Sequence, residues 1–176
     1  MDAQSKMVLE RVLALWGTGK KEKDPIGGEW SEESSFWAVK CLSGTQKGLW
    51  GELMFEESFG YKSEQVGLDL PDLKSDVKVM TRSKSKTKFA SDASCDMNPE
   101  WYYIYLVFPE EYQLYRIPSS YRAVSQPTFT NLKGKIDIMR SHIIEMENNK
   151  WRFCDNRNRP EDIFFKKNNL EKFFEN

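Results

Sequence analysis

Apolar residues recur along this chain with two different periods. In residues 3–16, Met7, Val8, Val12, Leu13, Leu15 and Trp16 gather near one helical stripe, which predicts a first helix. A polar, Gly- and Lys-rich connection follows from Gly17 to Glu29. Residues 34–40 (SSFWAVK) fit a helix or a strand equally well. Lys47-Gly48 then opens a second predicted helix over 49–58, with Gly60 as its terminator.

Beyond that point the pattern turns strand-like, at 66–70, 76–80, 101–108 and 113–117. The run WYYIYLVF at 101–108 has no polar face, so it predicts a central strand buried on both sides rather than a platform for stacking bases. Pro109-Glu110-Glu111 predicts the turn that follows it. Residues 142–147 and 150–154 flank Asn148-Asn149 and predict a hairpin. Ile163, Phe164, Leu170, Phe173 and Phe174 have helical spacing, predicting a C-terminal helix over 160–174 packed on the body or on a second subunit. The expectation is one α/β domain over residues 1–176.

Composition narrows this picture. Hydrophobic residues make up 39% of the chain, which is enough for a core despite 30% charged residues. A net charge of −1 excludes a surface that is basic throughout, so any anionic partner must meet a local patch. Cys41, Cys95 and Cys154 are widely spaced and read as reduced thiols, and the single histidine, His142, argues against a zinc site. No apolar run reaches membrane-spanning length and no signal-peptide pattern opens the chain, so the expected protein is soluble and cytoplasmic, with no membrane partner.

The chemistry concentrates in Asp69-Leu-Pro-Asp-Leu-Lys-Ser-Asp76-Val-Lys78. Two carboxylates stand seven residues apart, and Asp76 and Lys78 alternate with Val77 and Val79 out of a strand. A carboxylate beside an amine can hold a hard cation and polarise water. Against this, most Asp residues simply cap turns and face water. Upstream, Glu52 and Glu56 share one helical face. Downstream, Arg82, Lys84, Lys86 and Lys88 alternate with hydroxyls, so an extended run would present four cations to a phosphate backbone, although such runs are often plain surface loops. Arg122, Gln126, Asn131 and Arg140 are candidates for reading bases.

A helix acid, then Asp, then Asp-x-Lys on a strand is the order of the PD-(D/E)xK nucleases. Lys47-Gly-Leu-Trp-Gly51-Glu-Leu-Met-Phe-Glu56 and the step from Asp69 to Asp76-x-Lys78 resemble the MutH family and its related GATC-cutting type II restriction endonucleases. The resemblance covers residues 47–81, and Asp76 stands where that family has Glu. It implies a restriction-endonuclease-like mixed central sheet flanked by helices. It also implies a Mg²⁺-dependent type II restriction endonuclease acting on double-stranded DNA, as a homodimer. In that scheme Glu56, Asp69, Asp76 and Lys78 are catalytic, with Glu52 as the alternate helix acid. Asp69, Asp76 and the Val77 carbonyl hold the metal, and Lys47 contacts DNA with Arg82, Lys84, Lys86 and Lys88. A MutH-like nicking enzyme, the catalytic subunit of a heteromeric restriction enzyme, another phosphodiesterase, and a DNA-binding module without turnover remain alternatives.

Overall fold

The layering is set by one strand that feeds two cores. In the computed structural model, which describes residues 1–17, 29–64, 67–81, 88–93, 99–125, 129 and 134–155, Tyr103, Tyr105 and Val107 enter one core while Tyr102, Ile104 and Leu106 enter the other. Only an unbroken apolar strand can serve both faces in this way.

The helices are α1 (Ala3–Trp16), α2 (Trp37–Lys40), α3 (Gly44–Phe59) and α4 (Arg140–Asn148). The strands are β1 (Ser75–Thr81), β2 (Lys88–Ala93), β3 (Trp101–Val107), β4 (Tyr112–Pro118), β5 (Val124–Ser125), β6 (Gly134–Met139) and β7 (Arg152–Asp155). A mixed sheet runs β1-β3-β4-β7, with β1 parallel to β3 and the other pairs antiparallel. A second, antiparallel sheet runs β2-β6-β5. Helices α1 and α3 fill one face of the mixed sheet, and the second sheet with α4 fills the other. The fold is mixed α/β, with a mixed sheet flanked by helices. The parallel β1–β3 pair requires a crossover, and the chain makes it through β2 in the second sheet. Among the described residues this leaves β1 as an edge strand.

The helix α3 starts earlier than its apolar pattern suggests. Ser43 Oγ accepts from the Gln46 amide at 3.3 Å and Gln46 Oε1 accepts from the Ser43 amide at 3.0 Å, a reciprocal cap that carries the helix back to Gly44. Gly60 ends it as expected, at φ 71, where its amide donates to the Glu56 carbonyl. The ambiguous stretch 34–40 contains the short helix α2.

Two expectations are corrected. The predicted hairpin around Asn148-Asn149 is instead α4 followed by β7. His142 and Met146, four apart, are buried on one helical face against the second core, and the Trp151 amide closes the helix end on the Met146 carbonyl. Around 66–70 the described residues form no strand beyond an isolated bridge from Leu70 to Ser75. The second sheet was not anticipated. The basic run at 82–87, Cys95, Gln126, Asn131 and the expected C-terminal helix lie outside the described residues. Cys41 and Cys154 form no disulfide among the described residues. Among the described residues, no helix is long and apolar enough to cross a membrane.

Candidate active site

The step from Asp69 to Asp76 is a tight return of the chain. Pro71 fixes its own φ and begins a 3-10 turn at Pro71–Leu73, and Lys74 completes the reversal at φ 48. Leu70 and Ser75 then exchange both backbone hydrogen bonds, at 3.0 and 3.1 Å. Asp69 and Asp76 flank this bridge, and each accepts from a backbone amide on the other's side of it. The Asp69 amide donates to Asp76 Oδ1 at 3.2 Å, and the Val77 amide donates to Asp69 Oδ2 at 2.8 Å. Asp76 Oδ2 pairs with Lys78 Nζ at 3.2 Å. Asp76 is only 1% exposed, so its charge is held by these contacts rather than by water.

Helix α3 brings a third carboxylate. A Cβ on Gly51 would stand 2.4 Å from Val79 Cγ2 and 3.2 Å from Val77 Cγ1, so the missing side chain seats α3 directly on β1. The same contact places Val77 and Val79 toward α3, with Met80 in the opposite core, as the strand alternation required. Glu52 follows Gly51 and faces a cleft of about 190 Å³, which Asp69, Val77, Lys78 and, from β2, Ser91 and Asp92 also line. Burial, and then repulsion from Asp69, push the Glu52 carboxyl up to about 7. Burial also raises the Asp69 carboxyl, with Asp76 adding to the effect. These acids are crowded and poorly hydrated.

Glu56 lies one helical turn farther on. Its Oε1 accepts from the Ser63 amide at 2.9 Å, and it does not line the cleft. The structure therefore groups Glu52, Asp69, Asp76 and Lys78, and sets Glu56 beside them as an anchor for the loop after α3. Among the described residues no three His, Cys, Asp or Glu side chains form a ready-made metal cage.

Of the expected DNA contacts, Lys47 reaches across to the end of β1, donating to Thr81 Oγ1 at 3.2 Å. Lys88 pairs with Asp137 at 3.1 Å on the outer face of the second sheet. Arg122 is bound to Glu145, and Arg140 begins α4. Ser91 and Asp92 escaped notice because nothing in KFASDA distinguishes a strand that closes a cleft from any surface strand. His142 is buried, with Nδ1 3.2 Å from the Met139 amide, a structural position. Compared with protein families, curated proteins and solved structures, the chain matches none.

Proposed function

We propose that this chain is a Mg²⁺-dependent endonuclease of the restriction-endonuclease-like kind, hydrolysing phosphodiester bonds in double-stranded DNA in the manner of a type II restriction enzyme. The observation that supports it is the reciprocal Asp69–Asp76 clasp, with Lys78 beside it and Glu52 facing it, on an edge strand open to a cleft. That edge position lets an extended substrate approach without dismantling the sheet.

The donors are hard oxygens, which suit Mg²⁺, an ion commonly held by one or two carboxylates together with substrate phosphate rather than by a full protein cage. Burial and mutual repulsion push the Asp69 and Glu52 carboxyls up, so a cation between them would relieve both, and Asp76 and the Val77 carbonyl complete the set that would hold the ion. When bound, Mg²⁺ would polarise the phosphate and acidify a coordinated water. Lys78 Nζ donates to Asp76 and is positioned to donate to the attacking water and to charge building on the phosphoryl oxygens. Glu52 faces the cleft from α3, so its carboxylate would join Asp69 around the ion. Asp76 fixes the Lys78 ammonium and the Asp69 backbone together, so its shorter side chain, relative to Glu, serves positioning as much as binding. With one candidate centre among the described residues, cutting both strands calls for a two-fold dimer.

A second reading is a DNA-binding module that keeps the fold without turnover. The absence of a three-acid cage among the described residues and the engagement of Asp76 by Lys78 favour it. Supercoiled plasmid incubated with Mg²⁺ separates the two. Discrete fragments, absent with Asp69→Asn and with Lys78→Ala, support the restriction enzyme. Nicked circles alone support the MutH-like alternative, and intact plasmid that is nevertheless retarded on a gel supports the module.

A further inference from the structure

Two glycines of α3 have no packing reason to be glycine. Gly51 is excluded from this pair by its 2.4 Å approach to Val79. A Cβ on Gly44 would meet no atom within 4 Å, and one on Gly48 would meet only Glu52 Oε1, at 4.0 Å. Both lie within the helix, where glycine is less stable than alanine, least so at the first turn. Stability alone would place alanine at both sites.

Both glycines open onto the cleft that holds Glu52, Asp69 and Lys78. That cleft shares Gly44, Val79, Ser91 and Asp92 with a second cavity of about 500 Å³, to which Lys40, Lys47 and Thr81 contribute. The two are one groove. Lys40 is 6% exposed, its ammonium 6.0 Å from the centre of the Trp30 ring, so its position is fixed by the core rather than by solvent. Asp92 sits on the wall of the groove, in register with Lys135 of β6. Glu52, Asp69 and Lys78 therefore mark one end of the groove, Lys40 and Lys47 the other, and Asp92 borders both. From Gly44 to Glu52 the helix rises about 12 Å, comparable to about three nucleotides of one strand.

We propose that this groove seats the sugar-phosphate backbone of the strand being cut. The bare Gly44–Gly48 face of α3 admits the backbone close to the helix, and Lys47 and Lys40 hold phosphate beyond the reacting one. This rests on the nuclease reading and adds a substrate path to it. Lys40 and the two glycines become binding residues that no charge run or apolar period marks.

The test uses Gly44→Ala, Gly48→Ala and Lys47→Ala, measuring melting temperature, Mg²⁺-dependent cleavage and binding of a labelled DNA duplex. Gly48→Ala should melt at or above the wild-type temperature yet cut about 100-fold more slowly, the loss expected when substrate is displaced by about 1 Å. Gly44→Ala should weaken duplex binding in the same way. Lys47→Ala should lower affinity evenly across sequences and reduce the salt slope by about one. Wild-type protein that cuts, with glycine variants that cut equally well, would overturn the groove and leave the nuclease reading intact. A drop in melting temperature for Gly48→Ala would also overturn it, by making that glycine structural. Wild-type protein that neither cuts nor binds DNA would remove the nuclease reading, and the groove with it.

Discussion

Two charged surfaces of this protein each hold acids and lysines on strands, and they behave differently. On the outer face of the second sheet, Lys88 of β2 pairs with Asp137 of β6, and both are more than 40% exposed. Water and neighbours satisfy each charge there. At the β1 edge, three carboxylates share one lysine under partial cover, and Glu52 and Asp69 are pushed toward protonation. Surplus like charge kept from water separates the two, and in the nuclease reading it is the β1 edge that would attract a cation.

Breaking the Asp76–Lys78 pair gives the largest expected effect. Lys78→Ala leaves Asp76 buried without its partner and should cost about 3 kcal/mol by urea unfolding. In the nuclease reading it also lowers kcat by about 100- to 1,000-fold. The same truncation on the other surface, Lys88→Ala, should change stability by no more than about 0.5 kcal/mol and leave cleavage within about twofold. If the two truncations cost the same, the contrast fails.

Gly51→Ala and Gly48→Ala probe the next level. The first drives a methyl into Val79 and should destabilise by about 1–3 kcal/mol. The second should stabilise by as much as about 1 kcal/mol. Equal signs would show that the helix seat and the cleft wall are not distinct.

A smaller effect appears as a pH profile. The folded Glu52 carboxyl lies above its usual 4.5, at about 7, so between those values the folded state holds more protons than the unfolded chain. Stability must then fall as pH rises through that window and level off above it. Glu52→Gln should therefore raise the melting temperature above about pH 7 and leave it unchanged below about pH 4. A pH-independent gain in Glu52→Gln would contradict the assigned crowding.

Legibility in the sequence followed how locally each feature is encoded. The β1 and β3 runs, the first helix and the Gly60 terminator were readable because burial on both faces, helical spacing and a left-handed cap each leave a local mark. Pairing of Asp69 with Asp76 is readable from spacing, whereas the 3-10 turn at Pro71–Leu73 that produces it carries no period of its own. The start of α3 was encoded in Ser43-x-x-Gln46 and overlooked in favour of the apolar pattern. The choice of Glu52 over Glu56 depends on how Gly51 seats the helix, a tertiary fact, and the second sheet is short and half polar, with no period strong enough to stand out. In α4, a helix anchored by only His142 and Met146 offered two buried points, too few to distinguish helix from strand.

The central claim is that the β1-edge acids form a divalent-cation site. Calorimetric titration of the whole chain with Mg²⁺, slightly below about pH 7 and in buffers of different ionisation enthalpy, tests it most directly, because burial and then Asp69 push the Glu52 carboxyl up to about 7, so a cation entering this cluster should release a proton from it. The account predicts saturable binding with net proton release, both lost in an Asp69→Asn, Glu52→Gln double variant. Absence of binding by the wild-type protein, or undiminished binding by the double variant, would contradict it.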